Sequence, residues 1–292
     1  MIGTSDSAPP APGTLAFAKM CGAGNDFIVL DGGDPAPGLA RIVRLCERRY
    51  GIGADGLMML RPGNAGVAFD VEFFNADGSG GVLCGNGARC AIERARILGL
   101  ARPGETIRFR FAGAVYSGAS LGEGLARLDM DPRFAMGEPR LIRVGDLLLR
   151  GRFVDVGSRH FVVDVDAIED SEGGRAFGDL DDVPLETLGR AVRHHPEFGP
   201  LGVNANFTEL RGGRLYVRTF ERGVEAETLA CGTGSASSAL VRWRDGQAEP
   251  PIVVVARSGD ELQIGFGVRD GQVEGLTLTG PAFQSFEGRV AP

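Results

Sequence analysis

The sequence predicts an α+β fold of two pseudo-equivalent mixed α/β domains, with the active site in the cleft between them. The first observation is length, because 292 residues are long for one hydrophobic core and comfortable for two. The second is an internal duplication, in which three short blocks recur in the same order in both halves. The third is that strand-like segments flank one helix in each half, which indicates a sheet curled around each helix.

The duplicated blocks are two turns and one cysteine motif. The blocks of the first half are residues 24–29, 51–56 and 84–87. Their counterparts in the second half, in the same order, are residues 154–163, 202–207 and 231–234. In the last pair a cysteine, a glycine, a polar residue and a glycine stand at the start of a predicted helix. Chance produces one such pair readily, but three pairs in register indicate that each half builds the same thiol-bearing corner.

Hydrophobic periodicity and turn residues place the elements in order along the chain. In the first half we predict a glycine turn and strand over residues 17–31, a helix over 38–50, strands over 57–60 and 67–73, a helix from Cys84 to about Gly99, and strands over 107–111, 115–117 and 126–130. In the second half we predict strands over 154–163 and 215–220 and a helix over 235–244. Asp131 and Pro132 begin the predicted linker between the halves.

Composition and charge exclude several classes of protein. Hydrophobic residues make up 43% of the chain and charged residues 24%, as in soluble globular proteins. The net charge of −7 and the lack of a basic run argue against nucleic acid or a membrane surface as a partner. No apolar run approaches the length of a membrane span. Because Lys19 is the only lysine, a pyridoxal-phosphate Schiff base would have a single candidate residue.

The terminal segment and the cysteines indicate the compartment. Residues 1–13 are rich in Pro, Ala and Ser and lack the regions of a signal peptide, so we predict a disordered tail. Five cysteines without dense disulfide spacing predict reduced thiols and a cytoplasmic location. No C-x-x-C pair supports zinc, and His194 and His195 are assigned to a surface loop, so no metal site is expected. Three of the cysteines are interpreted as small buried hydrophobes: Cys21, Cys46 and Cys90.

The duplicated corner suits a carboxylate bound beside a thiol. Helix N-termini carry unpaired N–H groups that bind anions, and Asn86 and Thr233 are good N-cap types. Cys84 and Cys231 would then lie beside the helix starts, where the pKa of a thiol is lowered. Two such corners facing each other would place a thiol on each side of one α-carbon. Inversion of an amino-acid centre requires that arrangement, because one group removes the α-proton and the other returns a proton from the opposite face.

The combined motifs resemble those of the diaminopimelate epimerase family over nearly the whole chain. They are residues 24–27, 75–79, 84–87, Asn204, 221–223 and 231–234. The resemblance implies inversion of one centre of LL-2,6-diaminopimelate to the meso form, a precursor of lysine and peptidoglycan, without pyridoxal phosphate or metal. It also implies a homodimer, a barrel-like sheet around a central helix in each domain, and a last strand that returns to the first domain. We therefore expect domains of residues 14–133 plus 280–292, and of residues 134–279.

The resemblance also implies a role for each motif residue. Cys84 and Cys231 become the catalytic acid and base, and Glu221 binds the reacting ammonium. The backbone donors that hold the reacting carboxylate are Gly85, Asn86, Gly232 and Thr233. The residues that grip the distal amino-acid end are Asn25, Asn75, Asn204 and Arg222, the last suited to a bidentate carboxylate contact. His160 is open to two interpretations, a satisfied core histidine or a residue that orients a group in the site.

Three departures from the family pattern concern substrate recognition. Ser158 stands in the substrate-binding segment 157–160 where the family often has an asparagine, Gly56 stands where some members have a glutamine, and the segment from Arg222 to Cys231 is one residue longer. Two other functions therefore stay open. One is another two-thiol racemase or epimerase, of the proline or hydroxyproline type. The other is a non-enzymatic amino-acid-binding protein, which would not need both thiols.

Overall fold

The structure is a computed structural model that describes residues 13–32, 36–64, 66–81 and 83–291. Nearly all of the predicted tail, residues 1–12, therefore lies outside the described residues. The strands of the first half are β1 (Leu15–Gly22), β2 (Asn25–Asp31), β3 (Gly56–Pro62), β4 (Phe69–Asn75), β5 (Ile107–Phe111), β6 (Ala114–Gly122) and β7 (Leu125–Asp129). Those that follow are β8 (Ala135–Met136), β9 (Arg140–Val144), β10 (Leu147–Asp155), β11 (Arg159–Glu169), β12 (Asn204–Arg211), β13 (Arg214–Glu221), β14 (Ala226–Thr228), β15 (Ile252–Val255), β16 (Glu261–Arg269), β17 (Gln272–Pro281) and β18 (Phe283–Val290). The helices are α1 (Leu39–Cys46), α2 (Gly85–Ile97), α3 (Leu185–Arg193) and α4 (Gly232–Arg244), with a 3-10 turn at Pro196–Phe198.

Strand pairing repeats between the two halves. In the first half β1 is antiparallel to β18 and β2, β2 is parallel to β3, β3 is antiparallel to β4, and β4 is parallel to β5. In the second half β10 is antiparallel to β9 and β11, β11 is parallel to β12, β12 is antiparallel to β13, and β13 is parallel to β15. Each half ends in an antiparallel meander, β5-β6-β7 or β15-β16-β17, and β7 pairs with β17 to join both halves in one sheet. The predicted pseudo-equivalence of the two units is therefore present in the strand order.

Each half of the sheet wraps around one helix. Helix α2 packs against β1, β2, β6, β7 and β18, and helix α4 packs against β10, β11, β12, β13, β15 and β16. Both helices are buried along most of their length. Small residues over 234–239 let the surrounding strands approach α4 closely. This is the barrel-like sheet around a central helix that the sequence led us to expect. Among the described residues, no helix is long and apolar enough to cross a membrane.

Several element boundaries differ from those expected. Residues 17–31 form a hairpin of β1 and β2 rather than one strand after a turn. Helix α1 ends at Cys46 and not near Tyr50, because Glu47 is extended and its carboxylate accepts the N–H groups of Arg49 and Tyr50. Helix α4 starts three residues before the predicted Ser235, since the cysteine at 231 occupies the cap position itself.

The domain boundaries predicted from the sequence remain a proposal. We propose that one unit comprises residues 14–133 plus 280–292 and the other residues 134–279. The antiparallel pairing of β18 with β1 supports it, because this pairing returns the last strand to the first unit. The short strand β8 pairs with β10, which supports a second unit that begins just after the linker.

Candidate active site

The two cysteine motifs form the N-termini of the central helices. Cys84 and Cys231 are themselves the N-cap residues, with extended backbone angles of φ −103°, ψ 114° and φ −121°, ψ 110°. The prediction that Asn86 and Thr233 cap the helices is therefore wrong by two positions. The cap is the last extended residue before the helix, and the Cys84 sulfur accepts a hydrogen bond from the Gly87 N–H at 3.4 Å. Both thiols consequently lie at the positive end of a helix.

The two helix N-termini meet at a pair of glycines. A Cβ built on Gly232 would lie 3.8 Å from the Cα of Gly85 and 2.8 Å from Cδ2 of Leu278. A Cβ on Gly85 would lie 4.0 Å from the Cα of Gly232 and 3.1 Å from the same leucine methyl. A side chain at Gly232 would therefore displace the Leu278 methyl group, and one at Gly85 would crowd it. The glycines bring the N–H groups of both corners to one place, the arrangement expected for a carboxylate held from two sides.

Burial controls the ionisation of the two thiols. Burial raises the pKa of Cys84, and the hydrogen bond from the Gly87 N–H only partly opposes it. Burial also raises the pKa of Cys231 strongly, and the nearby carboxylate of Glu221 raises it further. The sequence led us to expect thiol pKa values lowered by the helix N-termini. That expectation is wrong for the protein alone, because desolvation of the thiolate outweighs the helix contribution.

Glu221 lies at the end of β13 beside the second thiol. Its carboxylate accepts a hydrogen bond from the Thr228 hydroxyl at 2.9 Å. Burial raises the pKa of Glu221, and the hydrogen bond from Thr228 partly opposes this. The negative charge of Glu221 opposes ionisation of both thiols, and for Cys231 it is the largest cause of the raised pKa after burial.

On the first-domain side, Asn25 and Asn86 form a chain of amides. The Asn86 Nδ2 donates to the Asn25 Oδ1 at 2.6 Å, and the Asn25 Nδ2 donates to the Asp55 Oδ2 at 2.8 Å. Asn75 lies on the neighbouring strand, paired with Gly56, and its amide donates to the Ser79 hydroxyl at 2.9 Å. A Cβ at Gly56 would lie 2.7 Å from the Phe74 carbonyl oxygen, so no longer side chain fits at this position without movement of β4.

On the second-domain side, Asn204 organises the remaining predicted contacts. Its Nδ2 donates to the Ser158 hydroxyl at 3.0 Å and to the Arg159 carbonyl at 2.9 Å, and its Oδ1 accepts from the Arg222 N–H at 2.8 Å. Ser158 is therefore a partner of Asn204 as well as a candidate for substrate contact. The Arg222 side chain is exposed, and its guanidinium forms no hydrogen bond or ion pair within the described part of the chain. This cation is available to a ligand.

His160 lies behind Thr233 and is fully buried. The Asn206 Oδ1 accepts from the Thr219 hydroxyl, so the Asn206 Nδ2 donates to the His160 Nδ1 at 3.0 Å. The proton of the imidazole is therefore on Nε2, which donates to the Thr233 Oγ1 at 3.0 Å. The Thr233 Oγ1 lies 3.6 Å from the Cys231 sulfur. His160 thus contacts the site through the threonine hydroxyl.

His160 should make the protein less stable as the pH falls. Burial lowers its pKa from 6.5 to about 3, so the native state stays neutral while the unfolded state binds a proton below pH 6.5. The free energy of unfolding therefore falls between pH 6.5 and 3, by about 2 kcal/mol between pH 7 and pH 5 from this group. In His160→Gln, the free energy of unfolding measured in urea should fall by about 2 kcal/mol less than in the wild type between pH 7 and pH 5.

The matched control is the half-buried histidine His195, replaced in the same way. His195→Gln should keep the wild-type pH dependence of the unfolding free energy. An unchanged pH dependence in His160→Gln would contradict the prediction, because it would mean that the imidazole binds its proton over the same pH range in the native and unfolded states.

The fold has relatives among solved structures. A probable proline racemase from Agrobacterium radiobacter K84 superposes with a TM-score of 0.69 at 17% identity, over 95% of this chain and 93% of that one. A hydroxyproline epimerase from Agrobacterium vitis also has a TM-score of 0.69, at 15% identity, over 97% of this chain and 94% of that one. Identities this low establish the fold alone. The chain therefore has the two-domain fold of these solved proteins.

Sequence relatives identify the family. The family model for diaminopimelate epimerase matches residues 17–116. The diaminopimelate epimerase of Aquifex aeolicus (strain VF5) is 35% identical over 291 residues, which cover 95% of this chain and 98% of the relative. That of Chlorobaculum tepidum is 38% identical over 279 residues, 93% of this chain and 99% of the relative. The chain belongs to the diaminopimelate epimerase family, whose named members are isomerases.

Three residues of the site were missed by sequence analysis. Asp55 terminates the amide chain, Asn206 fixes the imidazole tautomer, and Arg89 contacts the first thiol corner. Asp55 and Asn206 lie inside the duplicated blocks 51–56 and 202–207, which were treated there as turns only. A polar residue inside a duplicated block was the signal that could have identified them.

Proposed function

We propose that the protein interconverts LL-2,6-diaminopimelate and meso-diaminopimelate by removal and return of a proton at one α-carbon. The observation that carries the proposal is the meeting of two thiol-bearing helix N-termini at Gly85 and Gly232. Sequence identity near 35% over the full length to enzymes named diaminopimelate epimerase supports the substrate. An amino-acid substrate is consistent with both, because an α-carboxylate fits between two sets of helix N–H groups.

In the proposed mechanism, one cysteine acts as the base and the other as the acid. A thiolate on one face takes the α-proton, so that the C–H bond breaks and an S–H bond forms. The thiol on the other face then gives its proton to the α-carbon, and the configuration is inverted. The protein therefore needs one thiolate and one thiol at the start of each turnover, whichever direction the reaction takes. The carboxylate of Glu221, which adds to the effect of burial in raising the pKa of Cys231, supports Cys231 as the protonated partner before substrate binds.

The groups that surround the thiols are proposed to stabilise the negative charge that develops on the substrate. The N–H groups of Gly85, Asn86, Gly232 and Thr233 bind the reacting carboxylate, whose charge increases as the α-proton leaves. Glu221 binds the reacting ammonium, and its partial burial strengthens that ion pair. His160 orients the Thr233 hydroxyl and does not itself contact the substrate. The family resemblance implies these assignments, and the positions of the residues at the two corners support them.

The distal end of the substrate is proposed to bind among the polar groups that surround the corners. Arg222 supplies an unpaired guanidinium for the distal carboxylate, and Asn204 holds the backbone of Arg222 in position. Asn25, Asn75 and Ser158 supply amide and hydroxyl groups on either side of the cleft. A substrate with one charged end only would leave Arg222 without a partner.

Neither alternative function from the sequence is favoured. The proline racemase and hydroxyproline epimerase structures share the fold at 17% and 15% identity, far below the identity to the diaminopimelate enzymes. A non-enzymatic binding protein would not require two thiols at facing helix starts.

The protein is proposed to need no pyridoxal phosphate. Lys19, the only lysine, is buried, forms an ion pair with Asp26 at 2.9 Å and donates to the Gly53 carbonyl. Its ammonium is therefore unavailable as a Schiff-base nucleophile. We also propose a cytoplasmic homodimer that binds neither nucleic acid nor a membrane, which the family resemblance and the net charge of −7 support.

Turnover in deuterated water tests the function directly. Purified protein incubated with LL-diaminopimelate should form the meso isomer with one solvent deuterium at the inverted carbon, before deuterium accumulates in the remaining substrate. The returned proton comes from a thiol that has exchanged with solvent, which is the physical reason for this order. Mass spectrometry of the separated isomers gives the result. Deuterium incorporation at the α-carbon of proline, with none in diaminopimelate, would contradict the proposal and indicate a proline-type racemase.

A further inference from the structure

Arg89 is a buried cation at the first thiol corner. It lies in the second turn of α2 and is 0% exposed. Its Nη2 donates to the Asn86 Oδ1 at 2.8 Å and its Nη1 donates to the Gly85 carbonyl at 3.3 Å. Within the described residues it forms no ion pair, and its Nε has no hydrogen-bond partner. A buried guanidinium without a carboxylate is costly to desolvate, which calls for a functional explanation.

Arg89 begins a directed chain of hydrogen bonds through two of the predicted substrate-binding residues. A guanidinium only donates, so the Asn86 oxygen must face it and the Asn86 nitrogen must face away. That nitrogen donates to the Asn25 Oδ1 at 2.6 Å, and the Asn25 nitrogen donates to Asp55 at 2.8 Å. The ionised carboxylate of Asp55 only accepts. An obligate donor at one end and an obligate acceptor at the other therefore leave each amide a single orientation.

A glycine leaves room for the Arg89 guanidinium. Gly280 on β17 lies under the guanidinium, where a Cβ would be 3.4 Å from the Arg89 Nε and 2.3 Å from Cδ2 of Leu262. The second corner has no counterpart, because the residue five positions after Cys231 is Ala236, whereas the residue five positions after Cys84 is Arg89. The duplicated corners thus differ in charge, because the helix that starts at Cys84 carries a cation at this position and the helix that starts at Cys231 does not.

The guanidinium of Arg89 lies close to Cys84, because its Nη1 donates to the carbonyl of Gly85, the residue that follows the thiol. The titratable groups that face this thiol are Glu221 at the end of β13, Cys231 at the start of α4, and Arg89 and Cys90 on α2. Arg89 in turn faces Asp260, in the turn between β15 and β16. Glu221 opposes ionisation of Cys84 and Arg89 favours it. Among these groups, Arg89 is the one fixed positive charge.

We propose that Arg89 is a positioning residue that sets the orientation of the Asn86 and Asn25 amides and favours the thiolate at Cys84 over Cys231. Arg89 occupies the Asn86 side-chain oxygen and Asn25 its nitrogen, which leaves the Asn86 backbone N–H for the substrate carboxylate. The amide part of this proposal rests on the proposed function, whereas the thiolate part is independent of the substrate.

The variants Arg89→Met and Arg89→Lys separate the effect of Arg89 on the amides from its effect on the Cys84 thiolate. In Arg89→Met the KM for LL-diaminopimelate should rise about 10-fold as one charged hydrogen bond is lost. The pH midpoint for alkylation of Cys84 by iodoacetamide, followed by peptide mass spectrometry without substrate, should rise by about one unit. Arg89→Lys keeps the charge but loses the fork, so it should raise KM while the alkylation midpoint stays near the wild-type value.

Arg94→Met is the matched control. Arg94 is a second buried arginine of α2, and it binds Asp31 and Gln284 away from the thiols. This variant should lower the melting temperature without a change in the alkylation midpoint. A wild-type midpoint in folded Arg89→Met, or an equal shift in Arg94→Met, would overturn the thiolate part. If Arg89→Met does not fold, a wild-type KM in Arg89→Lys would overturn the amide part.

Discussion

Replacement of either Cys84 or Cys231 by serine is expected to lower kcat for epimerisation by about 10²- to 10⁴-fold. A hydroxyl is a far weaker acid than a thiol, so the serine variant has no group on that face able to exist as the anion at neutral pH. The remaining cysteine still reaches the α-carbon from its own side. Each variant should therefore exchange the α-proton of one isomer with solvent deuterium without forming the other isomer. Chiral separation combined with mass spectrometry measures both rates.

The control for the cysteine variants is Cys21→Ser. Cys21 is a half-buried residue of β1 outside the two helix corners. It should keep the wild-type kcat, because its thiol takes no part in the chemistry. Full epimerase activity in Cys84→Ser or Cys231→Ser would exclude the two-base mechanism. Loss of both exchange and inversion in one variant alone would instead assign both proton transfers to a single cysteine.

Arg222→Lys is expected to lower kcat/KM for diaminopimelate by about 10- to 100-fold, mostly through KM. The substitution keeps the positive charge but removes the planar fork that binds a carboxylate through two parallel hydrogen bonds. Because no residue of the described chain pairs with this guanidinium, the loss should appear only when substrate binds, and the melting temperature should stay unchanged. Steady-state kinetics and thermal unfolding measure the two quantities.

Arg150→Lys is the control for a general effect of exchanging arginine for lysine. Arg150 is exposed on β10, and its side chain lies outside the proposed site. It should leave kcat/KM unchanged. Wild-type kinetics in Arg222→Lys would remove Arg222 from the distal carboxylate site and leave the thiol chemistry untouched.

The structure explains why some elements of the site could be predicted and others could not. The corners at Cys84 and Cys231 were visible because each lies in one contiguous motif, repeated at the start of a helix. The direction of the thiol pKa was wrong, since it depends on burial by residues from other strands. The capping residue was also misplaced, because each helix begins directly after its cysteine, whose backbone is still extended.

The sequence by itself determined the local and periodic features of this protein. Those features are the strand alternation, the two central helices, the duplication and the two thiol corners, all of which depend on residues close together in the chain. Full-length similarity then placed the chain in its family.

Only the tertiary structure decided which residues of the site contact one another. Asn86 meets Asn25 across 61 positions, and His160 meets Thr233 across 73. Neither separation follows from helix or strand periodicity, because each contact requires the sheet to close around its helix first. The placement of charged groups around the two thiols has the same origin. Arg89 reaches its place through α2 and Glu221 through β13, and burial in the closed fold makes both charges effective.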